Sequence, residues 1–153
     1  MSTVGSVRNL MTELTGDEIR LWRAWTSASE VSRRRIADDV GAATGLSASD
    51  FGVLSRLVHL GEGTLRQNEL AASMDWHRSR LSHQLSRMEQ RGQVSRSSAG
   101  GGMVVTITDA GRAAIDAARP VHAEAVRKHL SGLVPEGQFD AFVDALERIA
   151  EGA

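Results

Sequence analysis

The chain has 153 residues, of which 41% are hydrophobic and 24% charged, with a formal net charge of −1; this is the balance of a water-soluble globular protein of one domain. It contains no cysteine, which excludes disulfides, thiolate metal sites and thiol-based peroxide sensing. No apolar run approaches the roughly 20 residues that span a bilayer, and Met1 to Leu10 lacks the apolar segment of a secretory signal, so a cytoplasmic protein with no membrane partner is expected.

Residues 1–13 show no periodic pattern and are expected to be flexible. Leu14-Thr15-Gly16-Asp17-Glu18-Ile19 then opens a helix. Thr15 serves as N-cap, Glu18 completes a capping box, and Leu14 with Ile19 forms a hydrophobic staple. The helix is predicted to run to about Val40, with Ile19, Trp22, Trp25, Ala28, Ile36 and Val40 making an apolar stripe too wide for a lone surface helix. Leu46-Ser47-Ala48-Ser49-Asp50-Phe51 repeats the device, with Ser47 as cap and Asp50 at the third helical position, and the second helix continues through Leu54, Leu57 and Val58 to Leu60. Gly61-Glu62-Gly63-Thr64 is a turn, and Leu65 is placed to form a brief strand.

From Gln67 to Gly92 the sequence reads as helix, tight turn and second helix. At about 100° per residue, Leu81, Leu85 and Met88 lie on one side of the second helix, while Ser79, His83 and Ser86 point the opposite way, flanked by Arg78, Arg80, Ser82 and Arg87. One face packs and the other is free to enter a groove, where Arg bonds guanine edges or phosphates and Ser or His reaches bases or backbone oxygens. Gly92 ends the helix in the left-handed conformation that glycine adopts cheaply. Val94 to Arg96 reads as a short strand, Ser97 to Gly102 as a loop, and the β-branched Met103 to Ile107 as a second strand.

Thr108 caps a long alanine-rich helix that Pro120 is expected to kink or interrupt. Pro135 is expected to open a last helix carrying Phe139, Phe142, Val143, Leu146 and Ile149. The fold class is therefore mostly α with a small β-hairpin wing: a winged helix-turn-helix with N- and C-terminal dimerisation helices. The expected division is residues 14–60 for dimerisation and scaffold, 61–108 for the winged helix-turn-helix and 109–153 for the C-terminal dimerisation helices, all in one compact domain. A two-fold dimer built this way sets two reading helices about one DNA turn apart, matching a palindromic site.

Charge is distributed to suit such a role. Residues 66–96 carry six Arg against Glu69, Asp75 and Glu89, a net of +3, while residues 97–153 carry −3. Local field rather than net charge governs approach to phosphate. The five histidines are scattered, so neither a zinc site nor any cofactor is expected.

The order and spacing of these segments resemble the MarR (multiple antibiotic resistance regulator) family from Leu14 to Ile149. The residues carrying the resemblance are Gly45-Leu46-Ser47, Leu70-Ala71, the run Arg78 to Leu85, Met88 to Arg96, and Thr108-Asp109-Ala110-Gly111-Arg112. The resemblance implies a homodimeric repressor of double-stranded DNA, released by a small phenolic or anionic effector. It places Arg78, Ser79, Ser82 and His83 at bases or adjacent phosphates, Arg66 and Arg87 at the DNA backbone, with Arg80 and Arg96 as further contacts. It makes Trp22, Trp25, Phe51 and His59 candidate walls of an effector pocket. The wing departs from the family pattern: the usual Asp-x-Arg near the hairpin tip is replaced by Ser98-Ala99-Gly100-Gly101-Gly102.

Two other classes compete. An enzyme is disfavoured because the acid pairs lie on predicted exposed helix and no phosphate loop or nucleophile turn is present. A winged-helix module that binds protein, with weak or no specific DNA binding, is favoured by the neutral wing and opposed by the arginine-bearing helix.

Overall fold

The computed structural model describes residues 14–152, so the segment 1–13 expected to be flexible lies outside the described residues. The chain divides after Arg34 into two units. The described part of the first is the N-terminal portion of α1 (Gly16–Thr44). The expected capping box starts this helix: Glu18 N donates to Thr15 Oγ1 at 3.2 Å and Thr15 N to Glu18 Oε2 at 2.7 Å. Leu21, Trp22 and Trp25 on it are exposed.

The second unit contains the rest of α1, α2 (Ala48–Gly61), β1 (Thr64–Arg66), α3 (Gln67–Ser73), α4 (Arg78–Gln90), β2 (Val94–Ala99), β3 (Gly102–Ile107), α5 (Asp109–His129) and α6 (Phe139–Glu151). Helix α2 begins at its expected box, with Asp50 N donating to Ser47 Oγ at 3.0 Å and Ser47 N to Asp50 Oδ2 at 3.2 Å. Apolar side chains from four helices and the hairpin close one core: Val53, Leu54 and Leu57 of α2, Leu70 of α3, Leu81, Leu85 and Met88 of α4, Val105 of β3 and Ile115 of α5 are all buried. The apolar stripe of α4 is thus the packed face that its periodicity requires.

Leu65 does join a strand. The three strands form an antiparallel sheet in the order β1-β3-β2, with Leu65 opposite Val105 and Val94 opposite Ile107. The hairpin is longer than the sequence suggests, because β2 runs on to Ala99, which pairs with Gly102. Only Gly100 and Gly101 turn, at φ of 57° and 78°. Positive φ at both central residues matches the right-handed twist of the strands, so two glycines suffice where a six-residue loop was expected.

Near the C-terminus the interruption allowed for at Pro120 and the helix expected to open at Pro135 are both corrected. Helix α5 runs through Pro120 without interruption from Asp109 to His129. Pro135 opens a turn rather than a helix: Gln138 N donates to Pro135 O at 3.1 Å, Gly137 sits at φ 76°, and α6 begins only at Phe139. A residue in the left-handed region cannot lie within a right-handed helix, which delays the start. No residue of α6 is buried, and Phe139, Phe142 and Ile149 are exposed.

The junction of wing and α5 is tight. Thr108 N donates to Gln93 O at 3.1 Å, Thr108 Oγ1 donates to Gly92 O, and Gly111 N donates to Thr108 Oγ1 at 3.1 Å. A Cβ on Gly111 would stand 2.1 Å from Gln93 O. Only a residue without a side chain fits between the first turn of α5 and the strand that leaves α4.

Candidate nucleic-acid interface

Three core side chains of α4 fix which of its residues face outward. Arg78, Ser79, Arg80, His83 and Arg87 are exposed, and Ser82 is half-buried. Helix α3 leads into α4 through a turn in which Asp75 takes a positive φ of 51° and Trp76 N donates to Ala71 O at 3.0 Å. Aspartate tolerates that conformation better than most side chains. Arg80 lays its guanidinium over the Trp76 ring at 3.9 Å, a cation–π contact that holds the charge near the start of the helix.

A polar network fixes the rest. Asp50, 1% exposed, accepts from Gln84 Nε2 and from Arg91 Nη2, both at 2.6 Å on Oδ1. Gln84, itself buried, accepts a hydrogen bond on Oε1 from Arg87 Nη2. One carboxylate on α2 therefore orients two arginines at the C-terminal end of α4, one directly and one through an amide. Neither Asp50 nor Gln84 is among the residues expected from sequence. A signal existed for Gln84, which stands with Leu81, Leu85 and Met88 at the i, i+3, i+4, i+7 spacing of the buried face.

Arg96 is held inward. Its Nε and Nη2 donate to Glu89 Oε2 at 2.9 and 2.6 Å, and Nη2 also donates to Ser86 Oγ at 3.0 Å. With Arg96 N donating to Glu89 Oε1 at 2.9 Å, the pair staples β2 to α4. The Arg96 hydrogen bonds hold the Glu89 carboxyl below its ordinary value of 4.5. A depressed carboxyl contributes stability that is complete above that ordinary value and is lost as pH falls through the lower folded one. Glu89→Gln should therefore cost about 1 kcal/mol at neutral pH and flatten the dependence of the urea midpoint on pH below about 4.5; a variant with the wild-type acid profile would show that the pair is not formed in solution.

Arg66, at the end of β1, is exposed, and its Nη1 donates to Ala99 O across the hairpin at 3.3 Å. The four candidate effector-pocket residues differ in exposure. Trp22 and Trp25 are exposed on α1, and His59 is exposed on α2. Phe51 stacks on the His122 ring with centroids 4.5 Å apart, and burial pushes the His122 imidazole below its ordinary value. An open groove of about 680 Å³ runs instead along Ala42, Ala43, Val121 and Ala125, with Asp39 and Lys128 at its rim. Among the described residues no three metal-ligating side chains converge, and no helix is long and apolar enough to cross a membrane.

This arrangement of reading helix, sheet order and wing recurs in solved structures. AbsC from Streptomyces coelicolor, a MarR family transcriptional regulator, is 29% identical and superimposes with a TM-score of 0.83 over 91% of this chain and 95% of its own. The fold is that of a MarR-type winged helix-turn-helix protein. Sco3205 from the same organism, a MarR family regulator solved in complex with DNA, is 27% identical, with a TM-score of 0.83 over 91% of this chain and 89% of its own. The organohalide-sensing regulator RdhR-CbdbA1625, solved with 2,4-dichlorophenol bound, shares the MarR-type fold with a TM-score of 0.76 over 100% of this chain and 90% of its own, at 16% identity. A family model described as a domain of unknown function, DUF7343, matches residues 47–108, the stretch from the Ser47 cap to the Thr108 cap that holds the MarR-type reading helix and wing. No curated protein matches the sequence.

Proposed function

We propose that this chain is a DNA-binding transcriptional regulator that acts in the cytoplasm as a homodimer, represses from a palindromic operator and is released by a small phenolic or anionic effector. The observation that carries the reading is α4, which buries Leu81, Leu85 and Met88 while Ser79 and His83 are exposed on the opposite side and Arg78, Arg80 and Arg87 are exposed beside them. Sco3205, a MarR family regulator of this fold solved in complex with DNA, supports a DNA-binding role. The exposed Leu21, Trp22 and Trp25 of α1 and Phe139, Phe142 and Ile149 of α6 support a dimer, because exposed aromatic and aliphatic surface of this extent is usually covered by a partner. The chlorophenol seated in a protein of the same fold supports an effector of that class.

Binding to DNA flanking the gene, followed by fluorescence anisotropy at several salt concentrations with random DNA as competitor, tests the proposal. A regulator gives competitor-resistant binding whose logarithm falls linearly with the logarithm of salt. Arg78→Ala and His83→Ala should each lose about 1–3 kcal/mol of discrimination between operator and random DNA. Arg87→Ala should weaken both alike. Weak, sequence-indifferent binding at low salt would instead favour a winged helix that serves a protein partner.

A further inference from the structure

The hairpin has no charged side chain between Ser97 and Thr108, and Arg96 at its base is paired with Glu89. Its tip nevertheless holds a cation, supplied by another strand. Arg66 pairs with Val104 at the edge of the sheet and extends its side chain along the hairpin until Nη1 meets Ala99 O at 3.3 Å. A Cβ on Gly100 would lie 2.9 Å from Arg66 Nη2, and one on Gly102 would lie 3.6 Å from Nη1. The guanidinium therefore rests on bare backbone, and a side chain at Gly100 would push it aside. Glu69 Oε2 accepts from Arg66 N at 3.3 Å, but among the described residues no carboxylate forms an ion pair with the Arg66 guanidinium. Its Ala99 contact uses one of five N–H donors, so the others remain free on a side chain already held in place.

We propose that Arg66 is the cation of the wing tip, through which the hairpin contacts the phosphate backbone of DNA, and that the glycine turn is its seat. The proposal rests on the DNA-binding reading above. It predicts that the wing's electrostatic contribution maps to β1 and not to the hairpin's own sequence.

The test uses the full chain and a short fluorescein-labelled duplex that the wild type selects from a random pool, with a scrambled duplex as control. Arg66→Ala should lower the slope of log affinity against log salt by about 0.9 for each protomer bound, and should weaken both duplexes by the same factor. The melting temperature should stay at the wild-type value, since the side chain is exposed. Adding Ala99→Arg to Arg66→Ala should restore the slope, because it returns a guanidinium to the tip from the hairpin itself. An unchanged slope in Arg66→Ala beside a wild type that binds DNA overturns the assignment and leaves the DNA reading standing. So does a lost slope that Ala99→Arg fails to restore, which would place the Arg66 contact away from the tip. A wild type that binds no duplex overturns both readings.

Discussion

Replacing Asp50 by alanine should lower stability by about 3 kcal/mol, read as a fall in the urea midpoint with an unchanged slope. The carboxylate is 1% exposed and accepts from Gln84 Nε2, Arg91 Nη2 and Ser47 N. Losing it strands a buried amide donor and a helix-cap N–H, each costing about 1–3 kcal/mol when left unpaired. Arg91 adds little, since its side chain is 47% exposed and swings into water. Asp50→Asn keeps one acceptor oxygen and should cost less than half as much. The same substitution should loosen Arg87, so Asp50→Asn should weaken all DNA sequences by a common factor while lowering the melting temperature by only a few degrees. A loss of DNA affinity in Asp50→Asn that varies from sequence to sequence would contradict the positioning role.

Gly111→Ala should be equally damaging although it adds a single methyl group. The new Cβ would stand 2.1 Å from Gln93 O and 2.9 Å from Ile107 Cγ1. A carbonyl in the backbone cannot rotate aside as a side chain does, so α5 and the segment after α4 must separate. The expected cost is about 3 kcal/mol, the upper end of overpacking penalties. Because Gln93 O also accepts from Thr108 N, separation breaks that hydrogen bond as well. Gly16→Ala is the control: nothing lies within 4 Å of the added methyl, and the midpoint should move by no more than about 0.5 kcal/mol. Equal midpoints for the two variants would show that the wing and α5 are not in contact as described.

Local chemistry made much of this fold legible. The boxes at Thr15 and Ser47, the cap at Thr108 and the apolar spacing of α4 are each decided within a few residues, and each stands where the sequence places it. The extent of the wing was not legible, because Ser97 and Ser98 have weak strand preference and become strand only by pairing with Val104 and Met103. Pro120 does not end α5, although a proline removes a helix hydrogen bond there and local rules would allow a break. At the interface, residue type found the outward face of α4 but not what orients it. The Asp50 to Gln84 contact joins residues 34 positions apart, and no periodicity encodes such a partner. Arg96 and Arg66 look alike in sequence, yet one is drawn to Glu89 and the other reaches the turn.

The buried polar network under α4 also bears on how such a protein changes its target. Ser79 and His83 are exposed and lie outside the network that sets the roll of the helix. If α4 meets DNA as proposed, substitutions there would alter the surface it offers while disturbing folding by only about 0.5 kcal/mol. On the proposed function, two copies arising by gene duplication would drift toward different operators through these positions while Asp50, Gln84 and the leucines keep the scaffold unchanged. Divergence of preference is decoupled from divergence of fold.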